Sequence, residues 1–236
     1  MSFDGIYGHE EIKKRLSAAA ANGTASHAYI FCGGAGIGKT MTARAFADAL
    51  TDGSGADVIV VTNAYYGVKD KAALSVETVR AARVDMYTKP YLADRRVFLF
   101  PEAETMTAGA QNALLKVFEE PPPYCVILLL TQNEYALLPT VRSRAVTVRF
   151  SPLPDATVRR YLTERYGVAD SVAVGLAAGS IAAADELASQ GETTALAREF
   201  AAVLQRFSGA DKRCVYEVIA IFEREKAQFD VLLGVM

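Results

Sequence analysis

The stretch Gly33-Gly34-Ala35-Gly36-Ile37-Gly38-Lys39-Thr40 constrains this chain more than any other. It fits the pattern G-x-x-x-x-G-K-[ST], and its surroundings are those the pattern needs. Ahead of it, Ala28-Tyr29-Ile30-Phe31-Cys32 is an unbroken apolar run that reads as a buried strand. Behind it, Met41 to Leu50 reads as a helix. Glycines let the backbone curl so that successive N–H groups converge on phosphate oxygens, and the helix N-terminus adds partial positive charge. Gly33, Gly36, Gly38, Lys39, Thr40 and Met41 are therefore the candidate nucleotide contacts. Lys39 is expected to reach the β- and γ-phosphates, and the Thr40 hydroxyl to ligate Mg²⁺. The plain alternative is a glycine-rich turn with a surface lysine. The complete motif between a strand and a helix weighs against it.

The rest of the chain repeats the alternation. Helical spacing runs from His9 to Asn22, stopped by Gly23, and again from Val76 to Met86 and from Thr107 to Glu119. In the last of these Ala110, Leu114 and Val117 share one face, and Pro121-Pro122-Pro123 ends it sharply. Asp57 to Thr62, Arg95 to Phe100, Cys125 to Leu130 and Val146 to Phe150 read as further strands, and Asn63 to Ser75 as irregular and exposed. Unbroken apolar strands alternating with helices imply an α/β fold, a parallel sheet with helices on both faces. After Ser151-Pro152-Leu153-Pro154 no strand is evident. Asp155 to Tyr166, Ser171 to Ala178 and Ile181 to Gln190 read as short alanine-rich helices, Thr194 to Phe207 and Asp211 to Leu233 as longer ones. This places domains at 1–151, 152–190 and 191–236.

A phosphate loop needs an acid at the end of a nearby strand to hold Mg²⁺ and polarise water. Phe98-Leu99-Phe100-Pro101-Glu102 occupies that place, with Pro101 where an Asp is expected and Glu102 retained. Proline cannot bind Mg²⁺, so the metal site reads as degraded.

Composition narrows the partners. Net charge is −2, so any DNA contact must be local. The cysteines Cys32, Cys125 and Cys214 lie far apart with no C-x-x-C, which implies neither a disulfide framework nor a zinc site. His9 and His27 read as packing or capping residues. The N-terminus does not read as a signal peptide and the apolar runs are too short to span a bilayer. A reduced, cytoplasmic protein with no membrane partner is expected.

The phosphate loop is joined by Phe3-Asp4-Gly5-Ile6-Tyr7-Gly8-His9-Glu10-Glu11-Ile12, by His27 to Phe31, by Ala110-Gln111-Asn112-Ala113-Leu114-Leu115-Lys116-Val117-Phe118-Glu119-Glu120-Pro121-Pro122, and by Leu137-Leu138-Pro139-Thr140-Val141-Arg142-Ser143-Arg144-Ala145. In this order, from Phe3 to about Leu187, the chain resembles bacterial DNA polymerase III clamp-loader subunits, the delta-prime/gamma family of AAA+ ATPases. The resemblance implies a P-loop AAA+ domain with a five-stranded parallel sheet, then a small all-helical lid and part of a C-terminal helical collar. It implies ATP or ADP with Mg²⁺ as ligand, and as partners the gamma/tau and delta subunits, with sliding clamp and primed DNA met through the complex. It places Tyr7 and Gly8 near the adenine, Glu102 in a degenerate Walker B segment and Thr131 as the sensor of the γ-phosphate. Arg144 matches an arginine finger acting in trans. A guanidinium suits that task because it stabilises charge spreading over the transferred phosphoryl group.

The departures from the family pattern are specific. Thr51 to Ala56 is short and has no Cys where the family commonly carries a zinc module. Ser143-Arg144-Ala145 replaces the usual Ser-Arg-Cys and keeps the arginine. In Gly179-Ser180-Ile181-Ala182, alanine stands where hydrolysing members carry the second-sensor arginine. With Pro101, this points to a delta-prime-like subunit with little intrinsic ATPase. An active gamma-like motor and an unrelated nucleotide kinase are the alternatives. Thr194 to Met236 is short for a full collar, so the chain alone is expected to be monomeric or weakly associating.

Overall fold

Five apolar runs become five parallel strands in the computed structural model, which describes residues 3–68, 73–167 and 169–189. They are β1 (Ala28–Cys32), β2 (Val58–Val60), β3 (Arg96–Phe100), β4 (Cys125–Thr131) and β5 (Val146–Arg149). The sheet order is β2-β3-β4-β1-β5, every neighbouring pair parallel. Burial follows position. All residues of β3 and β4 are buried, whereas β2 and β5 are edge strands and alternate or lie open. That explains why the inner runs are apolar without a break.

Helices cover both faces. They are α1 (Glu10–Ala21), α2 (Lys39–Leu50), α3 (Val76–Met86), α4 (Ala108–Glu119) and the single turn α5 (Pro139–Arg142). Ala28, Ile30, Phe98, Phe100, Ile127 and Leu129, spaced by two along their strands, form one core with Val79, Ala82 and Met86 of α3 and Ala110, Leu114 and Val117 of α4. On the other face Tyr29 packs edge-on against Phe46 of α2, with ring centroids 5.2 Å apart. Ser75 and Thr107 cap α3 and α4 by accepting the N–H groups of Thr78 and Ala110.

The chain divides into two compact units. One comprises the residues up to Gly34 and from Gly38 to Ser151; the other comprises Ala35–Ile37 and the residues from Pro152 on. The second unit contains α6 (Asp155–Tyr166), α7 (Ser171–Leu176) and α8 (Ile181–Ser189). Its core is Leu153, Val158, Leu162, Ala173, Val174, Ala177, Ala184 and Leu187. Asp185 of α8 accepts hydrogen bonds from Tyr161 and from Tyr166 of α6 and pairs with Arg165. Gly179 has φ +82°, and a Cβ there would lie 2.6 Å from the Leu153 backbone, so only glycine lets these segments meet.

Several expectations are corrected. Helix α2 begins at Lys39, not Met41. Strand β2 is shorter than 57–62, because Asp57 leaves the ladder to cap another loop. Asn63 is no free loop residue. Its side chain donates to Ala73 O and accepts from Ser75 N–H and the Thr78 hydroxyl, drawing the two ends of the 63–75 connection together. Leu74 and Ser75 are accordingly buried. Of the two roles expected for His9, packing is the one seen: its ring meets that of Phe150 edge-on at 4.8 Å, and its side chain makes no cap hydrogen bond to α1. The helices expected over 194–207 and 211–233, and Cys214, lie outside the described residues.

Candidate nucleotide site and rim arginine

The loop of Gly33–Thr40 joins β1 to α2 with the backbone its glycines permit. Gly33, Gly36 and Gly38 all have positive φ, at 155°, 69° and 101°. Gly38 is the N-cap of α2, so the N–H groups of the first turn carry no side-chain cap of their own. Thr40 and Met41, at the start of that turn, are exposed. A curled loop that leads into an uncapped helix terminus suits an anion. Lys39 donates from Nζ to Gly33 O at 2.5 Å and to Gly34 O. Burial pushes its ammonium below the ordinary lysine range, and the charges of Glu104 and Cys32 oppose that shift. The residues present suit a nucleotide phosphate: a donor-rich helix end, a half-buried lysine and an exposed threonine hydroxyl.

The strand ends converge on the loop. Gly33 N–H donates to Thr131 O at 3.2 Å, fastening the loop's first residue to the end of β4. The N-terminal segment passes beside it, since a Cβ on Gly38 would lie 4.0 Å from a methyl of Ile6. Tyr7 and Gly8 follow at once, half-buried, Gly8 with φ 70°. Thr131 is buried, and its hydroxyl is engaged locally, donating to Asn133 O at 3.0 Å and accepting from Asn133 N–H at 3.1 Å.

Glu102, at φ 50°, turns left-handed and is exposed. The turn of Ala103–Thr105 then brings Glu104 back toward the sheet end. Glu104 Oε1 accepts from Gln132 N–H at 3.0 Å, and its Oε2 is buried with no hydrogen-bond partner among the described residues. Glu104 carries no motif signal. Only the sign of the turn after Phe100 distinguishes it from Glu102.

Arg144 lies elsewhere. It follows α5, donating from Nη1 to Thr140 O at 3.1 Å and from Nη2 to Glu119 Oε1 at 3.2 Å. Its side chain is 37% exposed, less free than a rim residue is expected to be. The helix carrying Glu119 also fixes α5. Buried Gln111 donates to Met106 O and Ala136 O, each at 3.1 Å, and accepts from Leu138 N–H at 2.7 Å. Sequence reasoning assigned neither Glu119 nor Gln111 a part in the site.

Comparison with known proteins fits this geometry. The family model described as "DNA polymerase III, delta subunit" matches residues 8–154. The DNA polymerase III subunit gamma/tau of Mycobacterium bovis is 33% identical over 176 residues, which is 68% of this chain but 30% of that protein. The chain thus matches less than a third of that relative's length. Among solved structures, a DNA polymerase III gamma subunit-related protein of Thermotoga maritima superposes with TM-score 0.53 and 21% identity, covering 89% of this chain and 76% of that one. The RuvB Holliday junction branch migration motor of the same organism does so with TM-score 0.56 and 17% identity, covering 94% and 71%. At such identity these two show the fold alone, a parallel five-stranded sheet covered by helices. With more than half of its length matched by the family model, this chain belongs to the DNA polymerase III delta subunit family.

Proposed function

We propose that this chain is a delta-prime-like subunit of the sliding-clamp loader in DNA replication. It holds ATP or ADP with Mg²⁺ at Gly33–Thr40 and turns it over slowly, and it supplies Arg144 in trans to a neighbouring ATPase subunit. The partners are the gamma/tau and delta subunits, with the clamp and primed DNA engaged through the complex. Family membership supports the replication role, and the gamma/tau relative supports the partners. One observation carries the finer reading. Arg144 is partly exposed, and its partners Thr140, Ser143 and Glu119 all lie outside the phosphate loop. An arginine serving its own site would point into that loop. Pro101 at the end of β3 and Ala182 at the start of α8 agree with a subunit that assists turnover more than it performs it.

The test is Arg144→Ala in a reconstituted loader. Turnover at the adjacent subunit's site is expected to fall roughly a thousandfold, the usual worth of such a finger. This chain's own nucleotide affinity and folding stay nearly unchanged, because the Glu119 pair is a surface ion pair worth at most about 1 kcal/mol. Unchanged loader turnover, with weakened ATP binding by the variant itself, overturns the trans assignment. The relative's gamma/tau identity favours a second reading, an active motor subunit. Robust ATP hydrolysis by the purified chain, abolished in Lys39→Ala, would establish that reading instead.

A further inference from the structure

We propose that Glu104 is the acid of this nucleotide site: it joins Thr40 in holding the divalent cation that accompanies the phosphates, where β3 offers only Pro101. The proposal rests on the reading of Gly33–Thr40 as a nucleotide loop. Three observations lead to it. A proline follows the strand's last residue, and the next acid, Glu102, is turned out to solvent by a left-handed backbone. The following turn returns the chain, so Glu104 meets the backbone of Gln132 just past Thr131, whose carbonyl anchors Gly33. Lastly, one Glu104 oxygen is satisfied by that N–H, while the other is buried with no hydrogen-bond partner among the described residues.

A buried carboxylate oxygen left unpaired is costly, and proteins rarely keep one without a use. The nearby cation does not relieve it by contact, since Lys39 spends its ammonium on the carbonyls of Gly33 and Gly34. Its charge nonetheless acts on Lys39, raising the ammonium against the burial that lowers it. Magnesium in nucleotide sites takes one or two carboxylates beside a hydroxyl, water and phosphate oxygens. Glu104 supplies the first of these and Thr40 the hydroxyl. The competing role for Glu104 is a simple counter-charge for Lys39, and the two roles differ in what metal does.

The experiment titrates a fluorescent ATP analogue into the full chain in saturating magnesium and in EDTA. It compares the native chain with Glu104→Gln, Glu104→Asp, Glu102→Gln and Lys39→Ala. Gln at 104 keeps the oxygen that meets Gln132 N–H, and thermal unfolding measured alongside reports its folding. The proposal expects magnesium to tighten binding to the native chain, and Glu104→Gln to lose that gain by on the order of tenfold, the usual cost of a lost group at a metal site. Glu104→Asp recovers part of the gain and Glu102→Gln keeps all of it. Bound Mn²⁺, counted by electron paramagnetic resonance in the presence of nucleotide, falls in parallel. If Glu104→Gln keeps the full magnesium gain, the assignment is overturned. If it tightens binding in EDTA and leaves the gain intact, Glu104 is only the counter-charge of Lys39. A native chain that binds no nucleotide, with Lys39→Ala indistinguishable from it, overturns the nucleotide reading and the proposal together.

Discussion

Asp57 has no exposed surface, yet it is held ionised. Its carboxylate accepts the backbone N–H groups of Tyr91, Leu92 and Ala93 at 2.6, 2.9 and 2.9 Å, and the Ser54 hydroxyl at 3.0 Å. Burial works against the charge, but these donors outweigh it and bring the carboxyl down to about 2. A folded-state value below the unfolded one stabilises the fold above the ordinary carboxylate range. That contribution is lost as pH falls through the interval from 3.8 to about 2. Asp57→Asn is therefore expected to cost on the order of 1–3 kcal/mol at neutral pH and to flatten the acid limb of stability between those values. Urea melts at pH 7 and pH 3 test this; a variant that loses as much at pH 3 as at pH 7 contradicts it. In the sequence Asp57 abuts Val58-Ile59-Val60 and reads as the strand's first residue. Its three backbone donors are more than thirty residues away, at Tyr91 to Ala93. Glu104 was hidden for a related reason. The motif counts positions along an extended strand, and the positive φ of Glu102 breaks that count.

At the level of elements the sequence was most legible where burial alone decides. The apolar runs that begin at Ala28, Val97 and Cys125 became the body of the three inner strands, because a strand covered on both faces is built mostly of apolar residues. The face Ala110, Leu114 and Val117 of α4 is fully buried, as its spacing implies. Polar side chains that join elements were not legible, since their partners are set by the tertiary fold. Arg96 begins β3, yet it is buried and donates to Asp85 O and Thr88 O at the C-terminal end of α3, both at 3.3 Å. That arrangement suits the negative end of a helix dipole. Gln111 sits on the apolar side of α4 and binds the segments that lead into α5. Gln111→Leu would leave the carbonyls of Met106 and Ala136 and the N–H of Leu138 without their partner. We expect a loss on the order of 3 kcal/mol by chemical denaturation. Because Arg144 follows α5, the same variant should lower turnover of a reconstituted loader. A Gln111→Leu protein as stable as the native chain would show that water replaces these bonds.

Among the described residues the two units have unequal cores. The first contains Phe98, Phe100, Ile127, Leu129 and Leu114, each almost wholly buried in a five-stranded sheet. In the second, Ala173, Ala177 and Ala184 occupy buried positions beside Val158, Val174 and Leu162. Alanine removes little apolar surface from water, so each buried position contributes less there. Small units also bury a smaller fraction of their surface and have thinner margins. Hydrogen exchange should therefore divide the chain. Amides of α6 and α8 should exchange through openings of lower free energy than those of β3 and β4, which sit in the middle of the sheet. Val158→Ala deletes side-chain volume at a position with no exposure. Its expected cost is about 2 kcal/mol, read as about thirtyfold faster exchange over residues 155–166. Exchange over residues 125–131 should stay as in the native chain. The reciprocal variant, Leu129→Ala, should accelerate exchange in β3 and β4. Exchange that rises equally in α6 and β4 when Val158 alone is changed would mean that the two units open as one. The stability of the second unit's helices would then be set by the sheet core and not by their own.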